Sequence, residues 1–200
     1  MAKKLLLPVF IMCAFSMISY GQASTKDYLH VPGPIVIQGK SYNLVWTSHP
    51  AENYFKQEYI IKGDVVTKFK SMVLVEVVLG DVQIQDIVAT KVAELKKLKE
   101  SNPIINYETF DNSKAGEYMI DFLISDDAPG GIPGILERNV YRYKEFVDKS
   151  GQKGILLFGV SIRSYGDDIK SFLTSLKSTR NNLITEVAKF TLPKINIAKQ

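Results

Sequence analysis

Charged side chains occur inside segments of the chain that otherwise alternate like strands. Asp121 lies in one such segment, Arg142 lies in the next, and Glu76 interrupts a nearly continuous apolar run. Because the guanidinium fork of arginine matches an anionic group, a sheet that joins these segments predicts a polar pocket for a small anionic ligand. The candidate ligand-binding residues, with two tyrosines as walls, are Glu76, Asp121, Arg138, Tyr141, Arg142, Tyr143 and Arg163.

The same charges have a second interpretation, as ion pairs between neighbouring strands on a half-solvated sheet face. The two interpretations differ in geometry. A pocket requires one carboxylate, from Asp121 or Glu76, within salt-bridge distance of two arginines in a concave site. A flat, solvated face favours the ion pairs, and the sequence leaves both open.

Motifs for other chemistry are missing from the sequence. His30 and His49 are the two histidines, and they lack the spacing of a metal site. The chain has no G-x-S-x-G, no P-loop motif and no G-x-G-x-x-G. Pro129 and Pro133, before and within the glycine-rich stretch 130–134, remove amide donors that a phosphate cradle uses, and Asp126-Asp127 has too few acids for a calcium loop. We therefore predict no metal and no cofactor, and lean against an enzyme.

The N-terminus has the pattern of a secretory signal peptide over residues 1–23. Lys3 and Lys4 precede an apolar stretch of about 14 residues, shorter than the roughly 20 that a membrane span needs. Cleavage lowers the formal net charge from +4 to +2, because Lys3 and Lys4 are lost, and it removes Cys13, the single cysteine. We expect a periplasmic or extracellular protein without a stable membrane span. An uncleaved anchor or a lipid anchor on Cys13 is the alternative.

The remaining chain predicts the α+β class, a single mostly antiparallel sheet of about six to seven strands with two helices packed on it. The predicted strands are 42–46, 54–61, 72–79, 104–110, 117–125, 137–148 and 153–163. Ser48-His49-Pro50 is expected to stop the first, and the nearly continuous apolar run of 72–79 predicts a buried central strand. An apolar repeat of 3.6 residues predicts an amphipathic helix over 82–100 and a C-terminal helix over 167–190, broken at Asn181-Asn182. In domain terms, 24–41 is an extended N-terminal arm, 42–192 one domain and 193–200 a C-terminal tail.

The polar side of the 82–100 helix is basic but mixed. Glu94 and Glu100 interrupt its lysines, which favours a solvated surface over a polyanion site. The small net charge of the mature chain and the lack of a recognised motif argue against nucleic-acid binding.

Two segments carry a resemblance to a known fold. One is the run 54–60 followed by Gly63-Asp64, Phe69 and Met72, and the other is Gly154–Gly159 leading to Phe172-Leu173. In order and pattern, residues 42–190 resemble uncharacterised exported bacterial proteins with a PsbP-like α/β sandwich. The resemblance implies a binding or accessory role more than catalysis, and it implies no particular site residues.

These observations predict an exported, non-enzymatic binding or cell-envelope accessory protein of unknown ligand. One alternative is a small-ligand hydrolase that uses Glu76 and Asp121. Another is a structural partner in an envelope complex, docking by a sheet edge or by the 126–134 loop. A deep pocket with convergent carboxylates would favour the enzyme, and a shallow surface with an apolar patch would favour the structural partner.

Overall fold

The computed structural model describes residues 25–126, 133–148 and 150–197. The predicted signal peptide 1–23 lies outside these residues, as do most of the 126–134 connection and the last residues of the predicted tail. The elements in chain order are β1 Ile35–Ile37, β2 Lys40–Ala51, β3 Tyr54–Ile61, β4 Ser71–Leu79, α1 Ile84–Ser101, β5 Asn106–Asn112, a 3₁₀ helix Ser113–Ala115, β6 Glu117–Ser125, β7 Ile135–Val147, β8 Lys153–Tyr165 and α2 Asp168–Lys189.

The strands form one antiparallel sheet in the order β1-β2-β3-β4-β8-β7-β6-β5. It consists of two meanders, β1–β4 and β5–β8, that meet where β4 pairs with β8. Because β5 lies at the far edge, the chain must cross the sheet after β4, and α1 makes that crossing. Helix α1 therefore packs on the second meander, with its main sheet contacts to β5, β6 and β7.

The described chain has eight strands, so the prediction of six to seven is wrong, although the α+β class holds. The additional strand, β1, lies in the segment predicted as an extended arm. Gln38 and Gly39 have φ angles of 50° and 71°, and they close a two-residue hairpin that pairs Ile37 with Lys40. Positive φ at both central residues is the geometry of a type I′ turn, which suits hairpins.

Strand β2 extends well past its predicted end at residue 46. Pro50 was expected to stop it, but β2 is paired only with β3 at this point and its outer edge is free, where a proline removes no ladder hydrogen bond. A register shift between Ser48 and Ala51 accommodates the change in backbone. His49 consequently lies in the strand, where its ring stacks on Phe55 with a centroid distance of 4.2 Å.

Helix α2 is continuous, so the predicted break at Asn181-Asn182 is wrong. An asparagine costs an α-helix at most about 0.7 kcal/mol relative to alanine. Leu183 and Val187 directly follow and are buried against the sheet, and burial of each side chain contributes about 1.5–3 kcal/mol, which outweighs that cost. Within the described residues, neither helix is long and apolar enough to span a membrane.

The two helices lie on opposite faces of the sheet, called here the α1 side and the α2 side. On the α2 side, Leu183 and Val187 pack with Val73, Val140 and Phe158. The chain ends cover the first meander on this side, with side chains that include Leu29, Val31 and Ile195. On the α1 side, helix residues Ile84, Val88 and Leu95 pack with Leu74, Ile120 and Leu157.

Strand β4 lies at the centre of both cores, which confirms the prediction of a buried central strand. Val73, Val75 and Val77 belong to the α2-side core, while Leu74 belongs to the α1-side core. A strand buried on both faces reads as a continuous apolar run. Glu76 is the exception, a carboxylate on the α1 side with only 7% of its surface exposed.

Candidate functional site

The predicted candidate residues are divided between the two faces of the sheet. Strand register fixes the division, because directly paired residues of an antiparallel ladder project to the same side. The candidates on the α2 side are Asp121, Arg138 and Arg142. Those on the α1 side are Glu76, Tyr141, Tyr143 and Arg163. The seven residues therefore do not form one site.

On the α2 side, Asp121 bonds two guanidinium groups. Arg138 donates from Nε to Oδ1 at 2.9 Å, and Arg180 of α2 donates from Nε to Oδ2. The pocket interpretation requires one carboxylate within salt-bridge distance of two arginines, and Asp121 meets this requirement. However, Asp121 and Arg138 are each 3% exposed and lie beneath α2, so the group is enclosed by the protein.

The same arginines also bond the main chain of α2. Arg138 donates from Nη2 to the carbonyl of Arg180 at 2.7 Å, and Arg142 donates from Nη1 to the carbonyls of Val187 and Phe190 at 3.2 and 2.9 Å. The last carbonyls of a helix lack intrahelical hydrogen-bond donors, and Arg142 supplies a donor to two carbonyls at the end of α2. The α2-side charges thus attach the helix to the sheet.

Glu117 completes this attachment at the end of α2. Arg142 Nη2 donates to its two carboxylate oxygens at 2.9 and 3.0 Å, and the Lys144 ammonium lies 2.8 Å from Oε1 of the same carboxylate. Burial alone would raise the pKa of Glu117, but the bonds from Lys144 and Arg142 outweigh it and hold the pKa below its ordinary value. Glu117 is therefore ionised at neutral pH.

On the α1 side, Arg163 is also engaged within the protein. Its Nε pairs with Glu137 on the neighbouring strand, and its guanidinium carbon lies 4.0 Å from the centroid of the Phe69 ring. Burial lowers the pKa of Arg163, but the Glu137 carboxylate outweighs burial and raises it. Arg163 and Glu137 balance each other's charge.

Neither predicted tyrosine forms the wall of an open pocket. Tyr143 is 4% exposed and belongs to the core beneath α1. Tyr141 is half-buried and meets Phe122 edge to face, with ring centroids 4.9 Å apart. Gly159 makes this position possible, because a Cβ there would lie 2.9 Å from both the Tyr141 ring and Leu74 Cγ.

Glu76 belongs to a polar group that the structure assembles from β2, β3 and β4. Tyr54 donates its hydroxyl hydrogen to Glu76 Oε2 at 2.6 Å. The ammonium of Lys56 lies 3.4 Å from Glu76 Oε1 and 3.3 Å from Glu58 Oε1, and 5.9 Å from the centroid of the Trp46 ring. We call these five residues the Lys56 cluster: Trp46, Tyr54, Lys56, Glu58 and Glu76.

Register and topology together place the Lys56 cluster. Trp46 pairs with Glu58 across β2 and β3, and Lys56 pairs with Glu76 across β3 and β4. The main sheet contacts of α1 are with β5, β6 and β7, and those of α2 are with β7 and β8. Neither helix therefore makes its main contacts with β2 and β3, which carry most of the cluster. Lys56 retains 27% side-chain exposure, so solvent reaches the cluster.

Burial and mutual charge set the ionisation of the cluster. Burial raises the pKa of Glu58, and the pull of Lys56 only partly offsets this. Burial would lower the pKa of Lys56, but Glu76 and Glu58 outweigh burial and raise it. Burial and then the Glu76 charge raise the pKa of Tyr54. Lys56 therefore stays a cation and Tyr54 a neutral donor, and neither is activated as a nucleophile.

The sequence-based prediction included Glu76 but missed the other members of the Lys56 cluster. The alternation of Tyr54–Ile61 does place Tyr54, Lys56 and Glu58 on one face of a strand. That signal could have found them, had the pairing of β3 with β4 been predicted.

The surface cavities among the described residues include the following two. One, of about 320 Å³, lies between the chain ends and is lined by residues that include His30, Pro34 and Phe190. The other, of about 290 Å³, is lined by Val45, Ile60, Ile61 and the turn 62–64. The second adjoins the Lys56 cluster, because Ile60 follows Glu58 by two positions on the same side of β3. No group of three or more potential metal ligands occurs in the described ranges.

Comparison with known proteins identifies the family. A family model matches residues 29–192, which include every strand and both helices, and the chain belongs to that uncharacterised family. No curated protein and no solved structure matches the chain.

Proposed function

We propose that this protein is an exported, non-enzymatic binding module whose binding surface is centred on the Lys56 cluster of the α1 side. The observation that carries the proposal is the position of Lys56, which lies between two carboxylates and near Trp46 and keeps 27% of its side chain exposed. Arrangements of this kind fix the orientation of a ligand through a few polar groups beside apolar ones.

Binding is favoured over catalysis by the state of the polar groups. Lys56 lies between Glu58 and Glu76 and contacts both, so it occupies the space where two catalytic carboxylates would hold a substrate bond or a water. Tyr54 is a neutral donor whose hydroxyl hydrogen is already given to Glu76. The cluster also lies near one modest cavity, which Val45 and Ile60 help to line.

Export and fold relationship are parts of the same proposal. Export rests on the signal pattern of residues 1–23, with its lysine pair, its short apolar stretch and its small residues at the cleavage position. The PsbP-like resemblance is proposed for the family as a whole, supported by the order of strands and helices. An envelope-accessory role is the form of binding that such an exported domain would serve.

The proposal can be tested through the fluorescence of Trp46, the single tryptophan of the chain. Because Trp46 lies in the cluster, binding there should change its emission, and the variants described below locate the response. Size-separated fractions of a cell-envelope extract should include one that changes this emission in a saturable way. Mass spectrometry of that fraction before and after incubation should show the bound compound unchanged, whereas a cleaved compound would support the hydrolase.

Matched variants locate the response. Glu76→Gln should weaken the emission change, while Lys177→Met, which alters an exposed lysine of α2, should leave it intact. An equal response from wild type and Glu76→Gln would contradict the proposal. Retention of one envelope protein in stoichiometric amount, unaffected by Glu76→Gln, would instead support the structural-partner alternative.

A further inference from the structure

We infer that the outer edge of β5 pairs with the β5 edge of a second copy of this chain, which joins the two sheets into one. Strand β5 ends the sheet and pairs only with β6, so the main-chain groups along its other side have no strand partner in the described chain. Five of its seven residues are exposed. This surface is separate from the Lys56 cluster, and the inference goes beyond the proposed function.

The two edges of the sheet differ in their protection against another strand. Natural proteins protect a free edge with short strands, prolines, lysines or bulges. At the opposite edge, β1 has only three residues, and the part of β2 beyond it contains Pro50 and register shifts. Strand β5 is paired with β6 through all seven residues without a shift, and it contains neither proline nor lysine. The β5 edge therefore lacks the devices that prevent pairing.

The sequence of β5 is complementary to itself in the antiparallel direction. A two-fold axis at Thr109 places Tyr107 opposite Asp111 of the second copy, and Thr109 opposite itself. The β5–β6 ladder already contains the first kind of pair, because Tyr118 lies directly opposite Asp111 and donates its hydroxyl hydrogen to Oδ2 at 3.1 Å. A carboxylate has about four acceptor positions, so Asp111 can accept a second tyrosine. Threonine pairs also stabilise antiparallel strands.

The charges along this edge suit the same register. Lys99 of α1 donates from Nζ to Asn106 Oδ1 at 2.9 Å, so an ammonium lies at the start of β5. In the antiparallel register, the last residues of the second β5 strand come next to this point, and they include Asp111. The other acid of the strand, Glu108, is already paired with Arg180 at 2.7 Å within its own chain. Each copy thus brings a cation to the acid of the other.

An apolar side chain lies uncovered beside the same edge. Leu98 precedes Lys99 on α1 and is 38% exposed, although its neighbour on the helix face, Leu95, is fully buried. Because Lys99 contacts the first residue of β5, a second copy paired with β5 would come next to Leu98 and remove part of it from water. Main-chain pairing, charge and apolar burial therefore favour the same occupant.

Sedimentation equilibrium over a series of concentrations tests the inference on protein made from the complete sequence and purified as cells accumulate it. We expect a monomer–dimer equilibrium for the wild type. Thr109→Lys places two ammonium groups opposite each other at the two-fold axis and should raise the dissociation constant by more than about tenfold. Val36→Lys puts the same charge in the middle of β1, at a residue that is 54% exposed. It is the matched control and should keep the wild-type constant.

A pair of opposite charges should restore the dimer if the axis lies at Thr109. Thr109→Glu alone should also be monomeric, whereas an equimolar mixture with Thr109→Lys should form a heterodimer. This rescue separates loss of the interface from loss of the fold, and because Thr109 is exposed, both variants should melt close to the wild type. A monomeric wild type, which would leave the β5 edge to a different chain, would overturn the inference. So would a dimer that Val36→Lys breaks or a mixture that stays monomeric.

Discussion

Arg142 donates a hydrogen bond from Nη1 to the main-chain oxygen of Phe190, at 2.9 Å. This bond joins the middle of β7 to the residue at which α2 ends. The other terminal nitrogen of Arg142 binds the Glu117 carboxylate of β6. One buried guanidinium thus connects two strands to the C-terminal end of a helix, and its loss leaves both a carboxylate and helix carbonyls without this donor.

Replacement of Arg142 by leucine should destabilise the fold strongly. Removal of one partner from a buried ion pair costs about 3–5 kcal/mol, because the other charge is left uncompensated. Lys144 still reaches Glu117 at 2.8 Å, so we expect the lower end of that range. Urea unfolding monitored by circular dichroism measures the change. Lys144→Met is the control, because its side chain is 42% exposed and it should cost less than about 1 kcal/mol.

Asp121 should be more important for stability than Glu108, although both bind Arg180. Asp121 lies under α2 between two guanidinium groups, whereas Glu108 is 51% exposed and holds Arg180 Nη2 at 2.7 Å. We expect Asp121→Asn to lower the free energy of unfolding by about 3 kcal/mol and Glu108→Gln by less than about 1 kcal/mol. Similar losses in the two variants would show that the buried group does not anchor α2.

Glu117 should contribute a pH-dependent part of the stability. Its pKa is lower in the folded protein than its ordinary value of 4.5, so the folded state favours the ionised form. The contribution is fully present above that value and is lost as the pH falls through the folded-state pKa. Glu117→Gln should therefore cost about 2 kcal/mol at pH 7 and much less at pH 3. Urea titrations at the two pH values test this, and an equal cost at both would contradict it.

Two glycines of β8 should differ in their tolerance of a methyl group. A Cβ at Gly154 would lie 2.5 Å from the main-chain oxygen of Val78, while one at Gly159 meets the side chains of Leu74 and Tyr141 at 2.9 Å. Side chains can move and the backbone of a central strand cannot. Overpacking typically lowers the free energy of unfolding by about 1–3 kcal/mol. We expect the loss for Gly154→Ala to lie at or above the upper end of this range, and the loss for Gly159→Ala to lie near its lower end. Melting temperatures of the two variants test the order.

The sequence predicted the local structure of this protein better than its long-range contacts. Apolar periods of two and 3.6 residues identified β3, β6 and both helices, because those periods follow from the backbone geometry of each element, and a nearly continuous apolar run identified β4. The β1 hairpin was missed because Gln38-Gly39 is a weak turn signal and β1 has only three residues. Pro50 was wrongly predicted to end β2, because a proline is tolerated where one edge of a strand is unpaired, and only the complete sheet shows where that edge lies.

The candidate site shows the same limit. The sequence suggested that Asp121 lies near Arg138 or Arg142, in a pocket or in cross-strand ion pairs, but the second arginine that bonds Asp121 is Arg180, 59 residues away along the chain. Nothing in the alternation of β6 and β7 indicates which face α2 covers. Glu76 was predicted from its strand alone, whereas Lys56 and Glu58 became its neighbours through the register of β3 with β4.

Lys56 should stabilise the fold only when the carboxylates beside it are ionised. The Glu58 pKa is already raised by burial in the folded protein, and Lys56 is the cation that limits the rise. Replacement of Lys56 by methionine removes that cation, so the folded-state pKa of Glu58 should rise further. A carboxyl whose pKa is raised on folding favours the folded state when protonated, and that stability is lost as the pH rises above its ordinary value near 4.5.

Lys56→Met should therefore be close to neutral at pH 4 and cost about 1–2 kcal/mol at pH 7, where two ionised carboxylates share a half-buried surface without their cation. Lys170→Met, a change of the same type at an exposed position of α2, should show no such difference between the two pH values. Urea unfolding of both variants and the wild type gives the comparison. A Lys56→Met cost that does not change with pH would mean that the packing of the Lys56 side chain matters more than its charge.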